Sequence, residues 1–181
     1  KLLDVLRIEK AAIVADYELA ATPSGKVRYD AELERVVLIA SGEFDDPTDG
    51  GIELFDPVAG ETSGLVVTEA ELGGDLVDAV LVTEDAGFAV IGGDASGVGH
   101  TSVVRFEATD EGVTVETLVQ ADAWNHMHLE LTPDRAEVWV AERRFDDPGV
   151  RIFDAESGDE LTPEPVDTGL PPFMICFAEY E

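Results

Sequence analysis

A period of about 50 residues constrains this chain more than any other feature. The run VVLIAS closes on a small residue at Ala40, FAVIGG does so at Gly92 and VWVAE at Ala141, intervals of 52 and 49. A second landmark keeps the same step. IELFDPVAG, VVRFEATDEG and VRIFDAESG each read branched aliphatic, two variable positions, Phe, acid and a Gly-containing turn. Their phenylalanines, Phe55, Phe106 and Phe153, stand 51 and 47 apart. Two landmarks with one period mark a small unit that cannot bury its own apolar face and must stack on its neighbours.

Each unit offers four strands by composition and turn punctuation. The third reads HMHLELT, a Pro133-Asp134 turn, AEVWVAE, a loop, VRIFDA, a Glu156-Ser157-Gly158 turn and LTPEPVDTG. The second reads LVDAVLVT, GFAVIGG, SVVRFEA and VTVETLVQ; the first reads KVRYDAE, RVVLIAS, GIELFDP and SGLVVTEAEL. Helical periodicity fails nearly everywhere, and in EAELGGDLVDAV the pair Gly73-Gly74 cuts it short. The expected fold is all-β, a β-propeller of four-stranded antiparallel blades at 26–74, 75–123 and 124–170. Residues 1–25 add two strands at one edge, and 171–181 read as the first strand of a further unit. The 181 residues are expected to form one domain. Three full blades with partial blades at both ends fall short of the roughly 4–8 with which propellers close. The chain therefore reads as a partial propeller, an excerpt from something longer.

The tetrapeptide FDDP occurs twice, as Phe44–Pro47 and Phe145–Pro148. Both copies are expected between the second and third strands of their units, where the middle unit has GGDASGVGHTS. Asp-Pro starts a turn, and the Phe is expected to pack between sheets.

Charge narrows the partners. Forty Asp and Glu against 11 Lys and Arg give a formal net charge of −29. Such a surface repels phosphate backbones and anionic lipid, which disfavours nucleic acid as a partner. It suits cations, basic partners, or a high-salt setting where screening relieves self-repulsion. Hydrophobic residues make up 45% of the chain, so acidity does not imply disorder. No apolar run approaches the roughly 20 residues of a transmembrane helix. The single cysteine, Cys176 in FMICF, reads as a small buried hydrophobe.

The third unit carries a family resemblance. Thr132-Pro133-Asp134, the strand Val138-Trp139-Val140-Ala141-Glu142, the strand from Val150 to Asp154, and Gly169 with Pro171-Pro172 follow one another in order. This resembles the repeat of the YVTN-type and lactonase-like seven-bladed propellers. Arg135 stands where that repeat has Gly, and Ala141-Glu142 where it has Thr-Asn. The resemblance implies an extracytoplasmic protein (periplasmic, cell-surface or secreted), often lipid-anchored. It implies little about activity, because such folds host many roles.

All three histidines map to one face of that expected fold. His100 lies in the middle unit's second-to-third-strand loop, and His126 and His128 open the third unit's innermost strand in WNHMH. Strand alternation is expected to put His126 and His128 on one side. With His100 they form a candidate Zn²⁺ or Cu²⁺ site. The positions equivalent to the pair in the unit before are Val77 and Ala79. In the first FDDP loop Asp45, Asp46 and Asp49 form a candidate Ca²⁺ site, although the spacing lacks the Asp-x-Asp-x-Asp-Gly pattern. No certain cofactor emerges. Trp124 and Asn125 beside His126 complete a candidate ligand surface for a protein, small molecule or carbohydrate, while Trp139 reads as core.

Three functions follow. The leading one is a non-catalytic extracytoplasmic binding or scaffold module using Trp124, Asn125, His126, His128 and His100. The second is a lactonase-like, metal-assisted hydrolase at the same histidines, with Asp94 or Asp122 as base. The third is a structural cell-surface protein adapted to salt. No Gly-x-Ser-x-Gly elbow or other nucleophile motif occurs.

Overall fold

The computed structural model describes residues 2–7, 12–21, 25–43, 46–94 and 97–178. Three four-stranded antiparallel sheets follow one another along the chain, each with its strands in sequential order. The first holds β3 (Lys26–Asp30), β4 (Arg35–Ala40), β5 (Gly51–Asp56) and β6 (Glu61–Thr68). The second holds β7 (Asp75–Leu81), β8 (Ala86–Asp94), β9 (Gly97–Thr109) and β10 (Gly112–Gln120). The third holds β11 (His126–Leu131), β12 (Glu137–Glu142), β13 (Gly149–Asp154) and β14 (Val166–Asp167). Ahead of them β1 (Leu2–Arg7) and β2 (Ala12–Glu18) form a separate antiparallel pair. The protein is all-β.

Alternation decides how the sheets stack. On the second sheet Ala79, Leu81, Ala89, Ile91, Val104 and Phe106 turn one way and meet Val37, Ile39, Ile52, Leu54 and Val67 of the first. Val80, Phe88, Val90 and Val103 turn the other way and meet Leu129, Val138, Val140 and Phe153 of the third. The middle sheet is thus buried on both faces, which is why LVDAVLV and FAVIGG are almost wholly apolar. The outer faces are covered more thinly. Tyr17 and Leu19 lie on Val36, Leu38 and Phe55 of the first sheet, and Ile175 and Phe177 lie on Trp139, Ala141, Val150 and Ile152 of the third.

The single helix among the described residues, α1 (Glu69–Leu72), links the first two sheets. Thr68 and Glu71 form a capping box at its start, and Gly73 at φ 90° ends it in the left-handed conformation. The glycine pair therefore stops the helix after one turn.

Several expectations need correction. GGDASGVGHTS is largely strand: β8 runs to Asp94, β9 starts at Gly97 paired with it, and His100 lies within β9. Phe145 does not pack between sheets but stands 93% exposed, in the loop between β12 and β13. Phe44 and Asp45 lie outside the described residues. Cys176 is exposed, because alternation turns its neighbours Ile175 and Phe177 inward instead. LTPEPVDTG pairs over only two residues, since Pro163 and Pro165 have no N–H to give a ladder. Residues 171–178 adopt no strand pairing among the described residues, although they pack on the third sheet. Trp139 is half-buried, its indole N–H bonded to Glu137 and its ring edge-on to Phe177.

Candidate functional site

The first strand of each sheet brings its side chains toward those of the other two. At their meeting point is Asp78 of β7, a fully buried carboxylate. Lys26 and Arg28 reach it from β3, with Nζ 2.6 Å from Oδ2 and Nη2 3.0 Å from Oδ1. His128 reaches it from β11, Nδ1 2.7 Å from Oδ2. The backbone N–H groups of Ala79 and Leu129 donate to it as well. Burial alone pushes the Asp78 carboxyl up, but His128, Arg28 and Lys26 outweigh that and hold it below its ordinary value. The other ring nitrogen of His128 lies 3.1 Å from the carbonyl oxygen of Ile175, and Glu130 closes the group through Arg28 at 3.4 Å. Every charge in this cluster has an opposite neighbour, and the cluster joins three sheets and the C-terminal segment.

Two residues away, His126 belongs to a different set. Its Nε2 is 3.1 Å from Glu142 Oε2 on β12, and its Nδ1 is 3.4 Å from the Thr101 hydroxyl on β9. The separation has a physical cause. The β11–β12 ladder slips between His126 and Leu129, a β-bulge that breaks strict alternation. The β7–β8 ladder slips likewise between Leu76 and Asp78. Instead of sharing one side and one ligand, the two histidines each serve a carboxylate. Among the described residues no group of three or more His, Cys, Asp or Glu side chains is placed to hold a metal ion. His100 is half-buried on β9. Of the acidic loop, Asp49 accepts from the Glu43 N–H and Asp46 from the Thr48 hydroxyl, so both carboxylates close the turn on itself. The side chain of Asp94 lies outside the described set.

Thr101, His126 and Glu142 stand in the order of a hydroxyl, a base and an orienting acid. The hydroxyl is nevertheless wholly buried and accepts the His126 backbone N–H at 3.0 Å. The arrangement stitches β9 to β11. The same stitch continues in the backbone: Ala121 N–H donates to the Thr101 carbonyl, and Arg143 N–H to that of Asn125.

Beside this pair a cleft of about 340 Å³ opens at the junction of the second and third sheets. It is lined by residues 119–122 from the end of β10 and its connection, Asn125, His126, Glu142, Arg144 and Arg151. Arg151 Nε is 3.1 Å from Glu142 Oε2 and its Nη1 2.8 Å from Glu160. Arg144 lies 3.3 Å from Glu142 Oε1 and 2.8 Å from Asp147. Burial opposes ionisation of Glu142, but His126, Arg151 and Arg144 together hold its carboxyl below the ordinary range. Trp124 borders the same connection, its ring laid on Gly92 so closely that a Cβ there would come within 2.6 Å of it. Of the sequence candidates, Asn125 and His126 line this cleft, whereas His128 belongs to the Asp78 cluster.

A second hollow of about 320 Å³ lies at the opposite ends of β3, β7 and β11. Arg135 crosses it, with Nη1 2.9 Å from Asp30 and Nη2 2.6 Å from the Leu81 carbonyl. This residue sits at φ 59°, the left-handed region that disfavours side chains by about 1 kcal/mol. Its side-chain bonds explain why a non-glycine residue holds that turn.

Asp78, Glu142, Arg144 and Arg151 were not singled out by sequence pattern. Asp78 left one signal, a lone acid inside the apolar run LVDAVLV. No helix among the described residues is long and apolar enough to cross a membrane. No protein-family model matches the chain, and no curated protein matches it.

Proposed function

We propose that the protein is a non-catalytic binding module whose stacked sheets are blades of a partial β-propeller, and that its ligand occupies the cleft beside His126. The observation that carries this reading is the division of roles among the ionisable groups. His126 and His128, which the hydrolase reading would need at a reacting centre, are instead buried against carboxylates, His126 on Glu142 within the third sheet and His128 on Asp78 of the second. The cleft next to them keeps Asn125, Arg144 and Arg151 within reach of solvent. Cavities of this kind, with convergent polar groups at a junction between structural layers, are the usual location of a ligand. An extracytoplasmic location accompanies the proposal, following the YVTN-like pattern of residues 132–172.

A thermal-shift screen of small molecules tests the reading, run in parallel on the wild-type chain and on Asn125→Ala/Arg144→Ala. A compound that raises the wild-type midpoint and leaves the variant's unmoved supports the cleft. Hits that stabilise both proteins equally remove it.

A further inference from the structure

Resting on that cleft as the ligand site, we infer that it takes a neutral, polyhydroxylated ligand, a saccharide rather than an anion or a cation. The wall itself is charge-balanced: Asp122 and Glu142 stand against Arg144 and Arg151. Both guanidinium groups already face carboxylates, Arg151 those of Glu142 and Glu160 and Arg144 those of Glu142 and Asp147. An incoming carboxylate or phosphate meets guanidinium groups whose charge these acids already balance, and must approach a chain of net charge −29. An incoming cation meets the two guanidinium groups at the wall.

A hydroxyl-rich ligand meets neither obstacle. Paired charges remain strongly polarised donors and acceptors while demanding no net charge from their partner. The amides of Gln120 and Asn125 add a donor and an acceptor each. Planar amide, carboxylate and guanidinium groups offer two hydrogen-bonding atoms side by side, the spacing at which a vicinal diol presents its hydroxyls. Only two of the nine lining residues, Val119 and Ala121, are apolar, so a greasy ligand finds few partners. The volume of about 340 Å³ is at the low end of the roughly 300–1,000 Å³ of small-molecule sites.

The test is a titration of the ¹⁵N-labelled full chain, followed by amide chemical shifts. The probes are glucose, galactose, mannose, N-acetylglucosamine and their disaccharides, with phosphate, sulfate, acetate and spermidine for comparison. At least one neutral sugar is expected to shift resonances of 119–126 and 142–151 and leave the remainder in place. Asn125→Ala and Arg144→Ala, both at partly exposed positions, are each expected to weaken it about tenfold, the worth of one good hydrogen bond to a charged or amide group. If phosphate, sulfate, acetate or spermidine moves those resonances and no sugar does, the cleft is a ligand site and the saccharide assignment is wrong. If no probe moves them, or sugars act only elsewhere on the chain, the cleft reading falls together with the assignment.

Discussion

Two buried acid–histidine pairs, Asp78–His128 and Glu142–His126, lie on neighbouring parts of the same strand ends and do opposite things. Around Asp78 the cations arrive from a different sheet, and the carboxylate takes donors from β3, β7 and β11 at once. Around Glu142 the cations arrive from its own sheet and from the loop after β12, with the cleft on their far side. The first pair is a closed junction. The second is the wall of an opening. Identical residue types two positions apart therefore acquire different roles from what packs behind them, and a bulge in β11 is what separates them.

The largest expected effect follows from the difference in closure. Asp78→Ala removes the buried carboxylate that Lys26, Arg28 and His128 share and leaves only the half-buried Glu130 near Arg28, and breaking such a group costs up to about 3–5 kcal/mol. Glu142→Ala takes the Nε2 partner from buried His126 but leaves Arg144 free to turn into the cleft and Arg151 still bound to Glu160, so it is expected to cost less, roughly 1–3 kcal/mol. Urea unfolding of the two variants beside the wild type checks the ranking. Equal losses would erase the distinction between junction and wall.

A third buried carboxylate sharpens the comparison because no cation among the described residues pairs with it. Glu69 accepts the Leu76 N–H at 2.5 Å, while burial, with Asp75 and Asp49 nearby, pushes its pKa up to about 7. A raised folded-state pKa favours the fold when the group is protonated. Its contribution is whole below the ordinary value near 4.5 and is lost as pH rises through about 7. Asp78 and Glu142, held low, have the opposite sign: their contribution is present above the ordinary carboxylate range and is lost as pH falls below it. Glu69→Gln is expected to gain about 2 kcal/mol at pH 8, allowing for solvent screening, and almost nothing at pH 4. Thermal melts of wild type and variant across that range measure it.

The smallest effect concerns the far ends of the same strands. Arg135→Gly relieves the left-handed backbone but deletes the bonds to Asp30, Leu81 and Val82. The losses outweigh the relief, and a net destabilisation of about 1–2 kcal/mol is expected from melting. A stabilised variant would mean that Arg135 is a tolerated accident of that turn.

The four-stranded sheets were legible in the chain because strands need only alternation and punctuation. RVVLIAS, FAVIGG and AEVWVAE state their buried faces directly, and Gly73-Gly74 states where a helix stops. The site was half legible. Asn125 and His126 were marked by their place at the head of a strand, but Glu142 looked like the polar end of β12 and Arg151 like an ordinary exposed position. Their meeting is a long-range fact about which sheet stacks on which. His128 was marked as a candidate, but its facing, like that of Asp78, was hidden by bulges, which shift facing by one residue. Phe145 misled for a simpler reason: hydrophobicity argues for burial only when a neighbouring sheet is there to provide it.

The decisive measurement is amide hydrogen exchange on Asp78→Asn, which keeps the side chain's size and removes its charge. If Asp78 is the charge that draws the three strands together, amides of β3, β7 and β11 lose protection jointly while those of the outer strands hold. Loss confined to β7, with β3 and β11 exchanging as in the wild type, would show that the sheets meet without it.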